Sequence, residues 1–187
     1  TANDAFKPVT RYFDRITRPE QIISSLQQAV QVMLDPADCG PACISLSQDV
    51  QGEVYDYPED FFKERIHTIR RSRPDDFQIK EAADLIKKSK KPIIISGGGV
   101  FYSDATEELS AFAQKHNIPV TQTVMGYSTM KKDHSHYLGV IGGLGGKAAN
   151  NLSKETDTAI AIGTKLADFT TGSWANFENP DFKLVSI

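Results

Sequence analysis

The chain has 187 residues, of which 40% are hydrophobic and 24% are charged, and its formal net charge is −3. These values are typical of a globular protein and lack the basic excess of nucleic-acid-binding proteins. No apolar run is long enough to cross a bilayer and no signal peptide is recognisable, so the sequence predicts a cytoplasmic protein with neither nucleic acid nor membrane as a partner. Cys39 and Cys43 lack the second pair or nearby histidine of a zinc site, and we predict two buried thiols.

Residues 17–51 are predicted to form one helix followed by one strand. Thr17 can cap the helix, Pro19 suits its first turn, and Glu20 stands three residues after the cap. Apolar residues then recur at helical spacing up to residue 34, and residues 42–46 have the pattern of a strand. One helix and one strand cannot bury a core by themselves. We therefore expect residues 1–51 to be the C-terminal remnant of a preceding domain. Because the apolar face of its helix would lack its original partner, we expect this remnant either to be disordered or to pack against a neighbouring domain or another chain.

Residues 52–75 have the composition of a linker. Tyr55, Tyr57, Phe61 and Phe62 are mixed with acidic residues and prolines, and a basic run follows at residues 70–73. The aromatic content predicts a linker that packs along a surface.

Residues 76–187 alternate between helical and strand patterns. Helices are predicted from residue 76 to the basic stretch 87–91, at 104–116 and at 147–152, strands at 92–96, 118–123, 158–162 and 183–187, and a polar loop at 125–137. This alternation predicts an α/β fold with a doubly wound parallel sheet of at least four strands. Because the last residues have the pattern of a strand that is just beginning, we expect this domain to be incomplete at its C-terminus.

Glycines follow three of the predicted strands. Gly97, Gly98 and Gly99 come after the first strand, a second cluster spans residues 139–146, and Gly163 follows the strand at 158–162. Strand ends of this kind share one edge of a parallel sheet, which is where ligands bind. The sequence leaves two interpretations open: the glycines contact a nucleotide, or they only form tight corners.

A standard dinucleotide site is disfavoured. Gly97 and Gly99 fit the first two positions of the Gly-x-Gly-x-x-Gly fingerprint, but Tyr102 occupies the third. Gln122 and Thr123 stand where the ribose-binding acid would be.

The usual catalytic and metal-binding patterns are also disfavoured. Ser96 is outside any Gly-x-Ser-x-Gly elbow. His134 and His136 have no further ligand at suitable spacing, and we predict a solvated loop there. We predict no catalytic residue and no metal ligand in this chain.

Taken together, several stretches resemble thiamine-diphosphate enzymes of the acetohydroxyacid synthase type. Residues 40–51 resemble the end of the first domain of these enzymes. Residues 91–99, 118–126, 142–150 and 162–172 resemble their central, Rossmann-like domain. Residues 3–12, 14–20 and 48–53 are most similar to a branch of hydrolases that opens the ring of a cyclic diketone in myo-inositol catabolism.

The resemblance implies a three-domain homodimer or homotetramer that holds thiamine diphosphate and Mg²⁺ between subunits. An activating Glu in the first domain and a Gly-Asp-Gly…Asn motif in the third would hold that cofactor, and they are expected before residue 1 and after residue 187. We therefore expect residues 1–51 to be the remnant of the pyrimidine-binding domain, 52–75 a linker and 76–187 the central domain. The chain would be a cofactor-free scaffold that works with the remaining domains of the same protein.

The resemblance also implies a set of site residues. Relatives that bind FAD or ADP in the central domain use a glycine turn, a Thr-x-Met segment, a Gly-x-x-Gly segment and an Arg-rich loop. The matching residues are Gly97, Gly98, Gly99, Thr123, Met125, Gly142, Gly145, Gly163 and Lys165. Lys165 and Phe169 stand where arginines are expected, which disfavours a flavin and leaves an ADP-like or vestigial pocket open. The alternatives to a scaffold are thus a nucleotide-binding regulatory module or part of a sibling lyase or synthase.

Overall fold

A computed structural model describes residues 2–69 and 71–187. The chain divides into two compact units, Thr1–Arg73 and Pro74–Ile187. The basic run predicted at 70–73 begins at Arg70, which lies outside the described residues. The predicted boundaries at residues 51 and 75 remain predictions.

The first unit is built on two parallel strands, β1 (Tyr12–Ile16) and β2 (Ala42–Leu46), joined through helix α1 (Ile22–Met33). A 3₁₀ turn, Pro19–Gln21, leads into α1. The side-chain oxygen of Gln21 accepts hydrogen bonds from the backbone N–H groups of Thr17 (2.7 Å) and Arg18 (3.0 Å). The predicted helix start is therefore present, but Gln21 and not Glu20 completes the capping arrangement.

Strand β1 was not predicted, because residues 1–16 show no clear period. A short helix α2 (Gln48–Gln51) and 3₁₀ turns at Ala2–Ala5, Lys7–Val9 and Glu59–Phe62 complete the first unit. Its buried apolar core is small and includes Ile16, Ala29 and Val50. Met33 and several other apolar side chains of the unit remain exposed.

In the first unit the aromatic linker segment packs on its neighbours, whereas the two cysteines are not fully buried. The Tyr57 hydroxyl donates to the Pro19 carbonyl (3.3 Å), so the aromatic linker segment packs on the start of α1. The prediction of two buried thiols is wrong: Cys39 is exposed and Cys43 is half-buried. Cys39 lies in the turn between α1 and β2.

The second unit contains five strands and five helices among the described residues. The strands are β3 (Pro92–Ser96), β4 (Val120–Gln122), β5 (Tyr137–Val140), β6 (Thr158–Ile162) and β7 (Lys183–Ser186). The helices are α3 (Asp76–Lys88), α4 (Gly98–Tyr102), α5 (Thr106–His116), α6 (Lys147–Glu155) and α7 (Asp168–Thr171). A 3₁₀ turn, Val124–Gly126, follows β4.

All five strands run parallel in the order β5-β4-β3-β6-β7, so the predicted doubly wound α/β sheet is confirmed. Side chains of the central strands alternate between two cores. Ile94 and Ile160 pack with Val120 and Leu109 on one face, whereas Ile93, Ile95 and residues of β6 pack on the other. The uninterrupted isoleucines of β3 reflect this burial on both faces.

Two elements in this unit differ from prediction. The helix predicted at 104–116 is present as α5, but the short helix α4 was not predicted; the left-handed backbone of Asp104 (φ 54°) separates the two helices. Strand β5 falls where the polar loop and second glycine cluster were predicted. It is only four residues long and contains Gly139, so no alternating pattern marks it.

Among the described residues, no helix combines the length and apolar character that crossing a membrane requires.

Candidate functional site

The three glycine turns lie at one edge of the sheet, as predicted. They follow β3, β5 and β6, whose carboxyl ends point the same way because all strands are parallel. From β3 the chain proceeds outward through β4 to β5, and then returns to the other side of β3 with β6. The gap between β3 and β6 is therefore the topological switch point, where open α/β sheets bind ligands.

At this switch point the backbone closes the gap. The N–H of Gly99 donates to the Gly163 carbonyl (2.9 Å), and the N–H of Gly97 donates to the Ile162 carbonyl (2.8 Å). A Cβ on Gly97 would lie 2.2 Å from the Gly163 oxygen, and one on Gly99 would lie 2.5 Å from the Gly163 Cα. These glycines are required because two turns of the chain touch each other.

The turn after β4 is hydrogen-bonded to the carboxyl end of β3. Thr123 donates its N–H to the Ser96 carbonyl (2.9 Å), and its hydroxyl accepts from the N–H of Gly126 (3.0 Å). A Cβ on Gly126 would lie 2.1 Å from the Ser96 oxygen, and one on Gly98 would lie 2.9 Å from the Met125 oxygen. Gly126 was missed as a close-approach residue. Its signal in the sequence is the Thr-x-x-Gly spacing, which allows the threonine to cap the turn.

The turn after β5 is held by a side-chain amide. Asn150 of α6 accepts from the N–H of Gly142 (2.9 Å) and donates to its carbonyl (3.1 Å), and Asn176 donates to Asn150 (3.3 Å). Gly142 has a positive φ of 93°, and a Cβ there would lie 2.3 Å from the Phe169 oxygen. Gly145 folds back on Gly142 in the same way, with its hypothetical Cβ 2.7 Å from the Gly142 nitrogen. Asn150 was not predicted as part of this arrangement.

The remaining predicted site residues are exposed. The Met125 side chain is 78% exposed, and Lys165 lies on the surface after β6. Large apolar side chains, including Phe101, Phe169 and Trp174, are also exposed in the loops and short helices that follow the strands. The structure thus brings Gly97 and Gly99 against Gly163, and Gly145 against Gly142, but leaves the side chains of Met125 and Lys165 at the surface.

Ser96 and the histidines have structural partners. Ser96 is fully buried and its hydroxyl is hydrogen-bonded to that of Thr129, so it is not presented as a nucleophile. His136 Nε2 lies 2.9 Å from the Asn117 side-chain oxygen. Within residues 2–69 and 71–187, no three His, Cys, Asp or Glu side chains come close enough together to hold a metal ion.

A large apolar groove lies away from the glycine turns. It encloses about 900 Å³ and is lined by α3, α5 and strands β6 and β7. None of the glycines of the three turns lines it.

Residues 79–187 match the sequence model of the family described as thiamine pyrophosphate enzyme, central domain. This chain belongs to the thiamine pyrophosphate enzyme family. The match covers nearly the whole second unit and includes the segments 91–99, 118–126, 142–150 and 162–172 that resemble the central domain.

Curated members of the family match the chain from end to end. The chain is 50% identical over all 187 residues to a protein of Clostridium perfringens, 49% to one of Bacillus subtilis and 48% to one of Clostridium tetani. Each of these relatives is named 3D-(3,5/4)-trihydroxycyclohexane-1,2-dione hydrolase. The chain covers 29% of the length of each.

Proposed function

We propose that this chain is the scaffold region of a thiamine-diphosphate-dependent hydrolase that opens the ring of trihydroxycyclohexane-1,2-dione in myo-inositol catabolism. The end-to-end identity of about one half to hydrolases of that name supports the substrate class. Thiamine diphosphate supplies a stabilised carbanion in such enzymes. Residues outside this chain would hold the cofactor, Mg²⁺ and the reacting atoms.

The single observation that supports the scaffold role is the closed switch point. In this fold a ligand would enter between β3 and β6, and there Gly97 and Gly99 contact Gly163 directly. The N–H groups of Gly97 and Gly99, which could otherwise bind a phosphate, already donate to Ile162 and Gly163. The chain's own task would be to fix the spacing and orientation of neighbouring domains.

The activity of the purified 187-residue chain tests this proposal. With thiamine diphosphate, Mg²⁺ and the dione, we expect no ring opening above the rate without protein, whereas a full-length relative turns over under the same conditions. Circular dichroism and a cooperative urea transition would show that the inactive chain is folded. Turnover by the folded chain would contradict the proposal.

Two further expectations belong to the longer protein. We propose that it works in the cytoplasm as a homodimer or homotetramer, in which this region contacts the remaining domains of the same chain. A sibling lyase or synthase would share this scaffold. Product analysis of the full-length protein would separate the two, because a hydrolase gives one ring-opened acid and a synthase needs a second carbonyl substrate.

Nucleotide binding is the second candidate function. The exposed Lys165 and the aromatic side chains near the carboxyl edge favour it, because a cation and stacking surfaces suit an adenine nucleotide. The site would comprise the loops around Gly97–Gly99, Thr123–Met125, Gly142–Gly145 and Gly163–Lys165. Calorimetric titration with ADP and with FAD tests it. Saturable heat that the Lys165→Ala variant loses would support it, and no heat with either nucleotide would remove it.

A further inference from the structure

A second, smaller cavity lies beside the loop that follows β4. It encloses about 200 Å³ and is lined by Gln122, Tyr127, Ser128, Met130, Lys131 and Lys132. None of the glycines and none of the residues predicted from the family resemblance lines it. The cavity opens at the carboxyl edge of the sheet, one strand away from the closed switch point.

The wall of this cavity is positively charged. Lys131 and Lys132 are adjacent, and no acidic residue is among the side chains that line the cavity. Lys132 Nζ lies 5.1 Å from the centre of the Tyr127 ring, a cation–π distance that fixes the ammonium group over the ring. The hydrogen bond with Tyr127 raises the pKa of Lys132 above its ordinary value.

The floor of the cavity is rigid. Gln122 is 1% exposed, and its side-chain nitrogen donates to the Thr129 hydroxyl (3.2 Å) and to the Met130 carbonyl (3.1 Å). Thr129 is fully buried, and its hydroxyl also donates to the Gly126 carbonyl (2.8 Å), which holds the loop in place. The loop therefore has a fixed shape before any ligand arrives.

The backbone of the loop is strained at the cavity itself. Ser128 has a φ of 75°, in the left-handed region that a residue with a side chain adopts at a cost. Strain of this kind collects at binding sites, where the surrounding structure holds it in place. Ser128 lines the cavity together with Tyr127 and the two lysines.

We infer that this cavity binds a small oxyanion, a phosphate or carboxylate group, through Lys131, Lys132 and the Ser128 hydroxyl. Two ammonium groups and a hydroxyl supply the charge and the hydrogen-bond donors that such a group requires. The volume admits the anionic group and a few further atoms, so the ligand is a small acid or the acidic end of a larger molecule. This site is independent of the proposed scaffold role.

Titration of the 187-residue chain followed by ¹⁵N NMR tests the inference. Inorganic phosphate is the probe in one series and acetate in the other, at constant ionic strength. We expect saturable shifts of the Gln122 side-chain amide and of the backbone amides of residues 127–132. The series that saturates at the lower concentration identifies the preferred group.

Matched charge variants decide whether the cavity is responsible. Lys131→Gln and Lys132→Gln should each weaken binding about tenfold, and Ser128→Ala several-fold. Lys115→Gln removes the same charge from the exposed last turn of α5 and should leave the affinity unchanged. No saturable shift with either probe would overturn the inference. It would equally be overturned if Lys115→Gln weakened binding as much as Lys131→Gln and Lys132→Gln.

Discussion

The two ends of the central strand pair are joined by different chemistry. At the carboxyl ends of β3 and β6, glycine backbones touch and no charged side chain takes part. At the amino ends, side chains contribute to the connection. Asp157 accepts from the Ser89 hydroxyl and from the N–H groups of Lys90 (2.8 Å) and Lys91 (3.2 Å). The two edges thus differ in kind, with glycine backbones in direct contact at the carboxyl edge and a hydrogen-bonded carboxylate at the amino edge.

The largest effect is expected from a Cβ at the glycine contact. Gly97→Ala should lower the free energy of unfolding by about 3 kcal/mol, because the new atom would overlap the Gly163 carbonyl and the Thr164 side chain. Urea denaturation at neutral pH measures this loss. The effect should not depend on pH, since no titrating group is involved.

Gly146→Ala is the matched control for that variant. Gly97 and Gly146 are both N-cap residues with an extended backbone, of α4 and α6 respectively, but a Cβ on Gly146 meets no atom within 4 Å. A small capping loss and a small entropic gain offset each other, so its stability should change by less than about 1 kcal/mol. Equal losses of stability in Gly97→Ala and Gly146→Ala would contradict the role of the close contact at Gly97.

The Asp157 connection at the amino ends should contribute less to the free energy of unfolding than the glycine contact does, and it should require a carboxylate. Asp157→Asn leaves one acceptor oxygen for three donors and should cost about 2 kcal/mol. The same denaturation experiment measures it. Asp181→Asn serves as the control, because the Asp181 side chain lies on the exposed surface. A loss below about 0.5 kcal/mol, which is the usual scatter of surface substitutions, would show that the Asp157 connection contributes little to stability.

The stability contributed by Asp157 should vary with pH. Partial burial raises the pKa of this carboxyl, but hydrogen bonds from Ser89, Lys90 and Lys91 outweigh it and hold the pKa below its ordinary value of 3.8. Because the folded pKa is lower than the unfolded one, this stabilisation is present above that value and is lost as the pH falls through the folded pKa. The difference between wild type and Asp157→Asn should therefore shrink on acidification. A constant difference down to the acid transition would contradict the assignment.

The smallest effect is expected in the open loop after β4. Ser128→Gly relieves the left-handed backbone strain but adds unfolded-state entropy, so stability should rise by only about 0.5 kcal/mol. Ser128→Ala keeps the strain and should show no gain. A loss of stability in Ser128→Gly would mean that the Ser128 side chain makes a contact that outweighs the strain.

The regular parts of the fold could be predicted from the sequence and the irregular ones could not. The strands β3 and β6 are long apolar runs, and the structure places β6 at the predicted residues 158–162. Strand β5 has four residues and a central glycine, and β1 has no alternating pattern, so neither was predicted. Helix α4 has only five residues and begins with two glycines, so no helical period marks it and it was not predicted.

The position of the candidate site could be predicted from the sequence, but whether its glycines contact a ligand could not. Strand order and glycine spacing placed the turns on one edge. Whether those glycines contact a ligand or each other depends on β3 and β6 being neighbours, a long-range pairing that spacing along the chain does not reveal. The charged cavity was missed for the same reason, since Gln122 and Lys132 are brought together by the fold of one loop.

Amide hydrogen exchange at the glycine turn tests the central claim most directly. The N–H groups of Gly97 and Gly99 are bonded to Ile162 and Gly163, so they should exchange as slowly as the amide of Ile94 in the sheet. Saturating ADP or FAD should leave both rates unchanged. Rapid exchange at Gly97 and Gly99 that slows on addition of either nucleotide would contradict the account, because the turn would then be an open cradle and not a closed corner.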